Sequence, residues 1–507
     1  MVFLRSLATV GGFTCMSRLL GYVRDLFIAS VLGAGPLSDA FFVALKLPNL
    51  FRRLFAEGAF NAAFVPLFSK ISAQSPSKSI DFAHTVLTQL FLILLVMVIG
   101  FEVGMPWIIK IITPGFACDP EKFNLTIALS RITFPYILFI SLGALLGGVL
   151  NTLHKFAAST VAPVILNIFS IVALVLFSGP AKTSAHALSW AICLSGIFQL
   201  IWVAVACHKE GIPIKFVKPT ITPHTKNLFK RMIPGMIGAG VYQFNMFMSD
   251  IVASFVPSAI SYLSFADRIN QLPLSIIGIA MGTVLLPHLS NLLHHNKTQE
   301  ALALQNQAMF FALFLTLPAA VGLFLLSPHI VEILFQRGEF TSVATKATSL
   351  TLSAFVTGLP AYVIVKVLST NFFARGDTST PVKIASLSIF VNLILNLILV
   401  QIWQYVGIAV ATSIASWLNM AILMCFLIKK GFLNFTKPFI ISILKLLLAT
   451  ATMGFILSHG QDFLALHFPH SRGLGLLLLI LLGLGSYLGI VYFTKTINFK
   501  DLKQAFR

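Results

Sequence analysis

The chain has 507 residues, 57% of them hydrophobic and only 10% charged, with a mean hydropathy of +0.92 and a formal net charge of +19. Soluble domains carry about 25% charged residues, so this composition excludes a soluble globular enzyme and, despite the basic balance, a soluble nucleic-acid-binding domain. What remains is an integral, multi-spanning membrane protein, and the apolar runs lack the strict alternation of a membrane β-barrel.

Hydropathy predicts about 14 spans, at 7–33, 36–66, 82–110, 125–151, 159–178, 185–207, 228–255, 260–292, 304–327, 347–372, 379–400, 406–428, 438–458 and 473–494. The first contains Ser17, Arg18, Arg24 and Asp25 and is interrupted by Gly21, which predicts a bent or broken helix. Arg5 is followed by an amphiphilic stretch instead of a compact apolar core, so no cleavable signal peptide is read there.

The second span is the most informative. It places Asp39, Lys46, Arg52, Arg53 and Glu57 inside a segment long enough to cross a bilayer. A charge at the centre of a membrane helix costs about 2.5–3.5 kcal/mol on insertion scales, so these groups are expected to face a wet cavity, not lipid. Asp39, Lys46, Arg53 and Glu57 recur at intervals that keep them on one stripe of a helix, with Arg53 and Glu57 positioned as an i, i+4 ion pair. Neither Lys46 nor Arg52 has an obvious oppositely charged neighbour along the helix. Arg24 and Asp25 are neighbours that can neutralise one another.

Later spans add Glu102, Arg131 and Lys366, which can snorkel from helix ends. Asp119 and Glu121 read as solvated loop charges, and His84 and His186 as satisfied helix-end residues. In the second half, Asp267 and Arg268 follow Ser261. Asp250, Asn245, Asn392 and Asn396 suggest interhelical hydrogen bonding more than a cation site. The five cysteines have no paired spacing, so neither a disulfide framework nor a metal site is predicted, and Cys118 alone falls in an outer loop.

The halves repeat at an offset of about 220 residues, most clearly where Pro163 in AASTVAPV matches Pro381 in GDTSTPVK. The expected fold is therefore an all-α polytopic membrane protein with two pseudo-symmetric six-helix lobes around a central cavity. Residues 1–210 form the first lobe, 211–230 a cytoplasmic linker, 231–430 the second lobe and 431–507 two extra helices. The basic, Pro-containing linker is expected to let the lobes rock, as alternating access requires. With the N-terminus inside, roughly 20 Lys and Arg lie on the cytoplasmic side against about six outside, which places both termini in the cytoplasm. Arginines outnumber nearby carboxylates, and guanidinium suits bidentate binding of phosphate oxygens, so the expected ligand is anionic, with a phosphate or diphosphate group.

SRLLGYVRD at 17–25, SDAFFVALKLPNLFRRLFAEGAFNAAFVP at 38–66, ADRINQLP at 266–273, LFQRGEFT at 334–341 and TPVKI at 380–384 closely resemble the MurJ/MviN family. Those proteins are lipid II flippases of the multidrug/oligosaccharidyl-lipid/polysaccharide exporter superfamily, in the bacterial cytoplasmic membrane. The resemblance implies substrate-binding roles for Arg18, Arg24, Arg52 and Arg268. It implies supporting cavity roles for Ser17, Asp25, Asp39, Lys46, Asn49, Arg53, Glu57, Ser261 and Asp267. It further implies that the last two helices help form a groove for a polyprenyl tail, and that lipid II and the bilayer are the partners. The loops are short and hold no acidic cluster, so no enzymatic chemistry is read and no cofactor is expected. Monomeric function is the default, with association with the wall-synthesis machinery as the alternative. Coupling to a monovalent cation stays open, because the second lobe has no unambiguous acidic set. The competing readings are a flippase for another polyprenyl-diphosphate-linked glycan, a drug/cation antiporter, which calls for an acidic cavity, and a non-transporting wall scaffold.

Overall fold

A computed structural model describes residues 2–52, 59–467 and 472–496. Among them are sixteen α-helices, one 3-10 turn at Pro114–Cys118 and no strand. The first half comprises α1 (Val2–Leu32), α2 (Pro36–Arg52), α3 (Ala59–Gln74), α4 (Pro76–Ile112), α5 (Pro120–Thr133), α6 (Tyr136–Thr152), α7 (Ala157–Leu176) and α8 (Ala181–Lys209). The second comprises α9 (Pro223–Ser254), α10 (Ala259–His294), α11 (Thr298–Phe335), α12 (Ser342–Val356), α13 (Leu359–Ala374) and α14 (Ser379–Lys429), followed by α15 (Lys437–His467) and α16 (Arg472–Phe493).

The expected span count and the helix count agree once breaks are considered. The spans predicted at 36–66, 125–151 and 347–372 each fall on two helices, whereas α14 carries two spans joined at Gln404, whose backbone is non-helical. Among the described residues, nine segments are long and apolar enough to cross a membrane. The helices outside that set are α1, α2, α3, α9 and α10, and these hold most of the charge singled out above. Ion-bearing helices are costly in lipid and must be screened by protein or water.

The repeat is visible in structure. Each half contains a span broken in the same place, after Thr133 and after Val356. His154 and Gly376, just past α6 and α13, both take positive φ, as do Gly211 and Gly431 past α8 and α14. An ion pair staples the equivalent ends with reversed polarity: Lys155 meets Glu210 at 2.9 Å in the first half, and Asp377 meets Lys430 at 3.5 Å in the second. The Asp377 carboxylate also accepts from the Thr380 amide and hydroxyl, and these bonds hold it below the usual carboxylate range.

By internal contacts the chain forms two compact units, 1–261 with 337–341, and 262–336 with 342–507. In the first unit α9 packs on α3, on α4 and on the 114–118 turn, so the compact unit extends past the repeat boundary. The linker is also not a free hinge. His84 Nε2 pairs with the Pro213 carbonyl at 2.7 Å, the Val217 amide donates to Thr88 Oγ1, Gln89 donates to the Thr220 carbonyl, and Phe216 packs on Phe91. Extended backbone needs external partners for its polar groups, and polar residues on successive turns of α4 supply them. In the second unit, α15 and α16 pack on α11 through Leu446, Met453, Leu457, Leu479 and Tyr487, and the Tyr487 hydroxyl donates to the Phe314 carbonyl.

The first helix departs from the expected break. It continues through Gly21, which is used for close packing: Asn167 of α7 sits against it and donates to the Ser17 carbonyl at 2.8 Å. At the other end of α1, the Glu339 amide of LFQRGEFT donates to the Ser30 carbonyl at 2.9 Å. Gly33 (φ 66°) and Gly338 (φ 57°) both have left-handed backbone there, and a Cβ on either would collide with the opposing backbone. Gly338→Ala is expected to lower the melting temperature of the purified protein. The strain alone is about 1 kcal/mol, before the clash with Ser30. Gly35→Ala, at a site with open space around it, is the control expected to change little.

Candidate functional site

Among the described residues of the first unit, Asp39, Lys46 and Arg24 each make a charged contact, and the first two link helices far apart in sequence. The deepest is centred on Asp39, in the first turn of α2, whose side chain is fully buried. One carboxylate oxygen accepts from Lys122 Nζ at 2.6 Å. The other accepts from the Ser261 amide at 2.7 Å and the Ser261 hydroxyl at 2.5 Å. Ser261 lies in the first turn of α10, where backbone N–H groups have no intrahelical acceptor, so Asp39 caps that helix from a distant part of the chain. Asp39 and Ser261 are 222 residues apart, close to the repeat offset, so the contact joins equivalent positions of the two repeats.

Asp39 is therefore a buried lock and not a group presented to a cavity. Its ion partner was missed in the sequence. Lys122 opens α5 beside Asp119, which accepts from the Lys122 amide, and Lys122 Nζ also lies 3.8 Å from the Phe116 ring centroid. The available signal was a lysine in the first turn of an apolar span. It was masked by the neighbouring Asp119 and Glu121, which suggested a solvated loop; Glu121 does pair with Lys182.

Two turns further along α2, on the same stripe, Lys46 Nζ meets Asp250 of α9 at 2.6 Å. Asp250 is thus an ion-pair partner of the second span. Asn392 and Asn396 hydrogen-bond within the second unit, Asn396 to Asn392 at 3.1 Å and Asn392 to Thr412 across the break in α14 at 3.5 Å. The Asn245 side chain lies outside the described residues. Lys46 is 40% exposed, which screens the pair, while Asp250 is 11% exposed. Lys46→Asp is expected to lower the melting temperature of the purified protein, and Lys46→Asp with Asp250→Lys to recover part of the loss. A melting temperature no higher in the double variant than in the single one would show that the pair is not coupled.

The third contact is local. Arg24 Nε and Nη2 both donate to Asp25 Oδ1, at 3.2 and 2.9 Å, and both side chains are largely buried. A guanidinium has five N–H donors, so this pairing leaves donors available to an anion. Arg18 is exposed on the same helix, and Ser17 is half-buried. At the end of α2, Arg52 is half-buried and its Nε donates to Asn49 Oδ1 at 3.2 Å, with Asn49 Nδ2 returning to the Leu45 carbonyl. Arg53 and Glu57 lie outside the described residues. In the second unit Arg268 and Asp267 are half-buried on α10, and Asp267 accepts from Gln271.

The sequence profile of the family described as lipid II flippase MurJ matches residues 28–477. A relative from Rhizobium meliloti, described as a probable lipid II flippase MurJ, is 42% identical over 97% of this chain and 93% of its own length. A solved structure of lipid II flippase MurJ in an inward closed conformation superposes with a TM-score of 0.81 at 29% identity, covering 96% of this chain and 98% of that one. An inward-facing multidrug resistance MATE family transporter of the MOP superfamily shares the fold at 14% identity, with a TM-score of 0.65 over 82% of this chain and 96% of that one.

Proposed function

The chain belongs to the lipid II flippase MurJ family, and from that premise we propose that it carries lipid II, the undecaprenyl-diphosphate-linked peptidoglycan precursor, from the inner to the outer leaflet of the bacterial cytoplasmic membrane. The observation that carries this reading is the concentration of charge on α1, α2, α9 and α10, set against nine apolar membrane-length segments among the described residues. A polar diphosphate headgroup cannot cross hydrocarbon unaided, and a cationic path through protein removes that barrier.

Arg18, Arg24, Arg52 and Arg268 are the proposed diphosphate grip, with Ser17, Asp25 and Asn49 orienting it. The polyprenyl tail stays in an apolar groove that includes α15 and α16. Two six-helix lobes, 1–210 and 231–430, move in alternating access, with both termini cytoplasmic and the chain acting as a monomer. In that cycle the Asp39 lock and the Lys46 to Asp250 bridge open and re-form as the two repeats move. No bond is made or broken, so the reading is transport and not catalysis. An inside-negative potential favours outward movement of the anionic headgroup, at about 2.3 kcal/mol per charge per 100 mV.

Depletion of the protein in its own host, with lipid II leaflet position read by an externally added cleaving enzyme, tests the reading. Loss of outer-leaflet lipid II, restored by re-expression of the chain, is expected. Unchanged lipid II export would move the substrate to another polyprenyl-diphosphate-linked glycan.

A further inference from the structure

The last turns of α3 and the first turns of α9 enclose a groove of about 370 Å³, separate from the three charged contacts described above. Its walls are Lys70 and Gln74 of α3 and His224, Asn227 and Arg231 of α9, and its floor is the buried pair Leu67 and Ile71. The three α9 residues follow helical spacing and share one face. We propose that this groove is a binding site for a phosphate-bearing anion, either the headgroup phosphate of a membrane lipid or a free phosphate.

Three features favour that chemistry. Two cations come from different helices, and no carboxylate is among the lining residues. Lys70 forms no ion pair among the described residues, and Arg231 is oriented by donating its Nε to Asn227 Oδ1 at 3.1 Å, which leaves its terminal amino groups for a ligand. The site also lies at the positive end of the α9 dipole, just past the reciprocal Thr222 and Thr225 cap. The apolar floor suits an ester substituent of the phosphate, and the polar wall suits its oxygens.

An anion bound here touches both α3 and α9 and so strengthens their association at this end of the first unit. The positive-inside bias assigns that end to the cytoplasmic face, where lipid headgroups and soluble phosphate are both available.

The test uses the full chain in nanodiscs of phosphatidylcholine, with or without phosphatidylglycerol, and separately with inorganic phosphate against chloride at matched ionic strength. The expected result is a rise in melting temperature for the wild type that is lost in Lys70→Gln/Arg231→Gln. A rise with phosphatidylglycerol alone identifies a lipid headgroup as the occupant, and a rise with inorganic phosphate identifies a soluble one. Arg231→Lys keeps the charge but not the fork geometry, and is expected to shift the midpoint of the responding titration roughly tenfold while leaving the anion-free melting temperature unchanged. No response in the wild type, or equal responses in wild type and variants, overturns the proposal.

Discussion

Replacing Arg18, Arg24, Arg52 or Arg268 singly by Ala is expected to abolish lipid II translocation while the protein still inserts and accumulates in the membrane. Each hydrogen bond to a charged group contributes about 1.5–3 kcal/mol, so losing a bidentate grip on a diphosphate lowers its occupancy by roughly two orders of magnitude or more. Arg24 needs a second variant, because its removal also takes the Arg24 ion pair away from Asp25, which is only 5% exposed. Arg24→Lys keeps a cation beside Asp25 but loses the planar fork, so accumulation should be retained and transport strongly reduced. The readout is the outer-leaflet lipid II assay together with immunodetection of the protein. Normal translocation in all four alanine variants would rule out the arginine grip while leaving the fold and family intact.

Asp39→Asn is expected to reduce both stability and transport, for separable reasons. The change neutralises one partner of a buried pair and leaves the Lys122 ammonium, whose side chain is 8% exposed, without its carboxylate. Removing one partner of such a pair costs about 3–5 kcal/mol, and the loss should appear as a lower melting temperature in detergent. Adding Lys122→Met removes the stranded charge and is expected to recover most of that loss. Transport should not recover to the same extent, because the cap on the Ser261 amide is also weakened when the carboxylate becomes a neutral amide. Recovery of both properties together would assign Asp39 a purely structural role. Ser261→Ala removes the hydroxyl's contacts with Asp39 and the Gly35 carbonyl but leaves the amide bond and the Lys122 pair, so its effect should be smaller than that of Asp39→Asn.

Much of the architecture was legible because membrane insertion is governed by local sequence. Length and hydropathy identify most of the spans, and the repeat offset carries helix-end features such as the Gly211 and Gly431 turns into register. Charge inside the second span is enough to mark α2 as a helix whose ions must be met by protein or water, since each such charge must be offset by something other than lipid. The adjacent Arg24 and Asp25 pair could also be read directly, because neighbours in sequence have few alternatives.

Partner choice between helices could not be read in this way. Lys122 finds Asp39 across 83 residues, Asp250 finds Lys46 across 204, and the Ser261 amide finds Asp39 across 222. Likewise Gly21 looked like a break and proved to be a packing site for Asn167, and the 211–222 segment looked like a hinge and proved to be pinned to α4. Periodicity specifies which residues share a face of one helix, whereas a buried ion pair depends on which two faces the fold brings into hydrogen-bonding contact. The sequence by itself determined the membrane class, the spans, the repeat and the helices that hold charge. Only the tertiary structure decided which charges neutralise one another, because that depends on packing between helices remote in the chain.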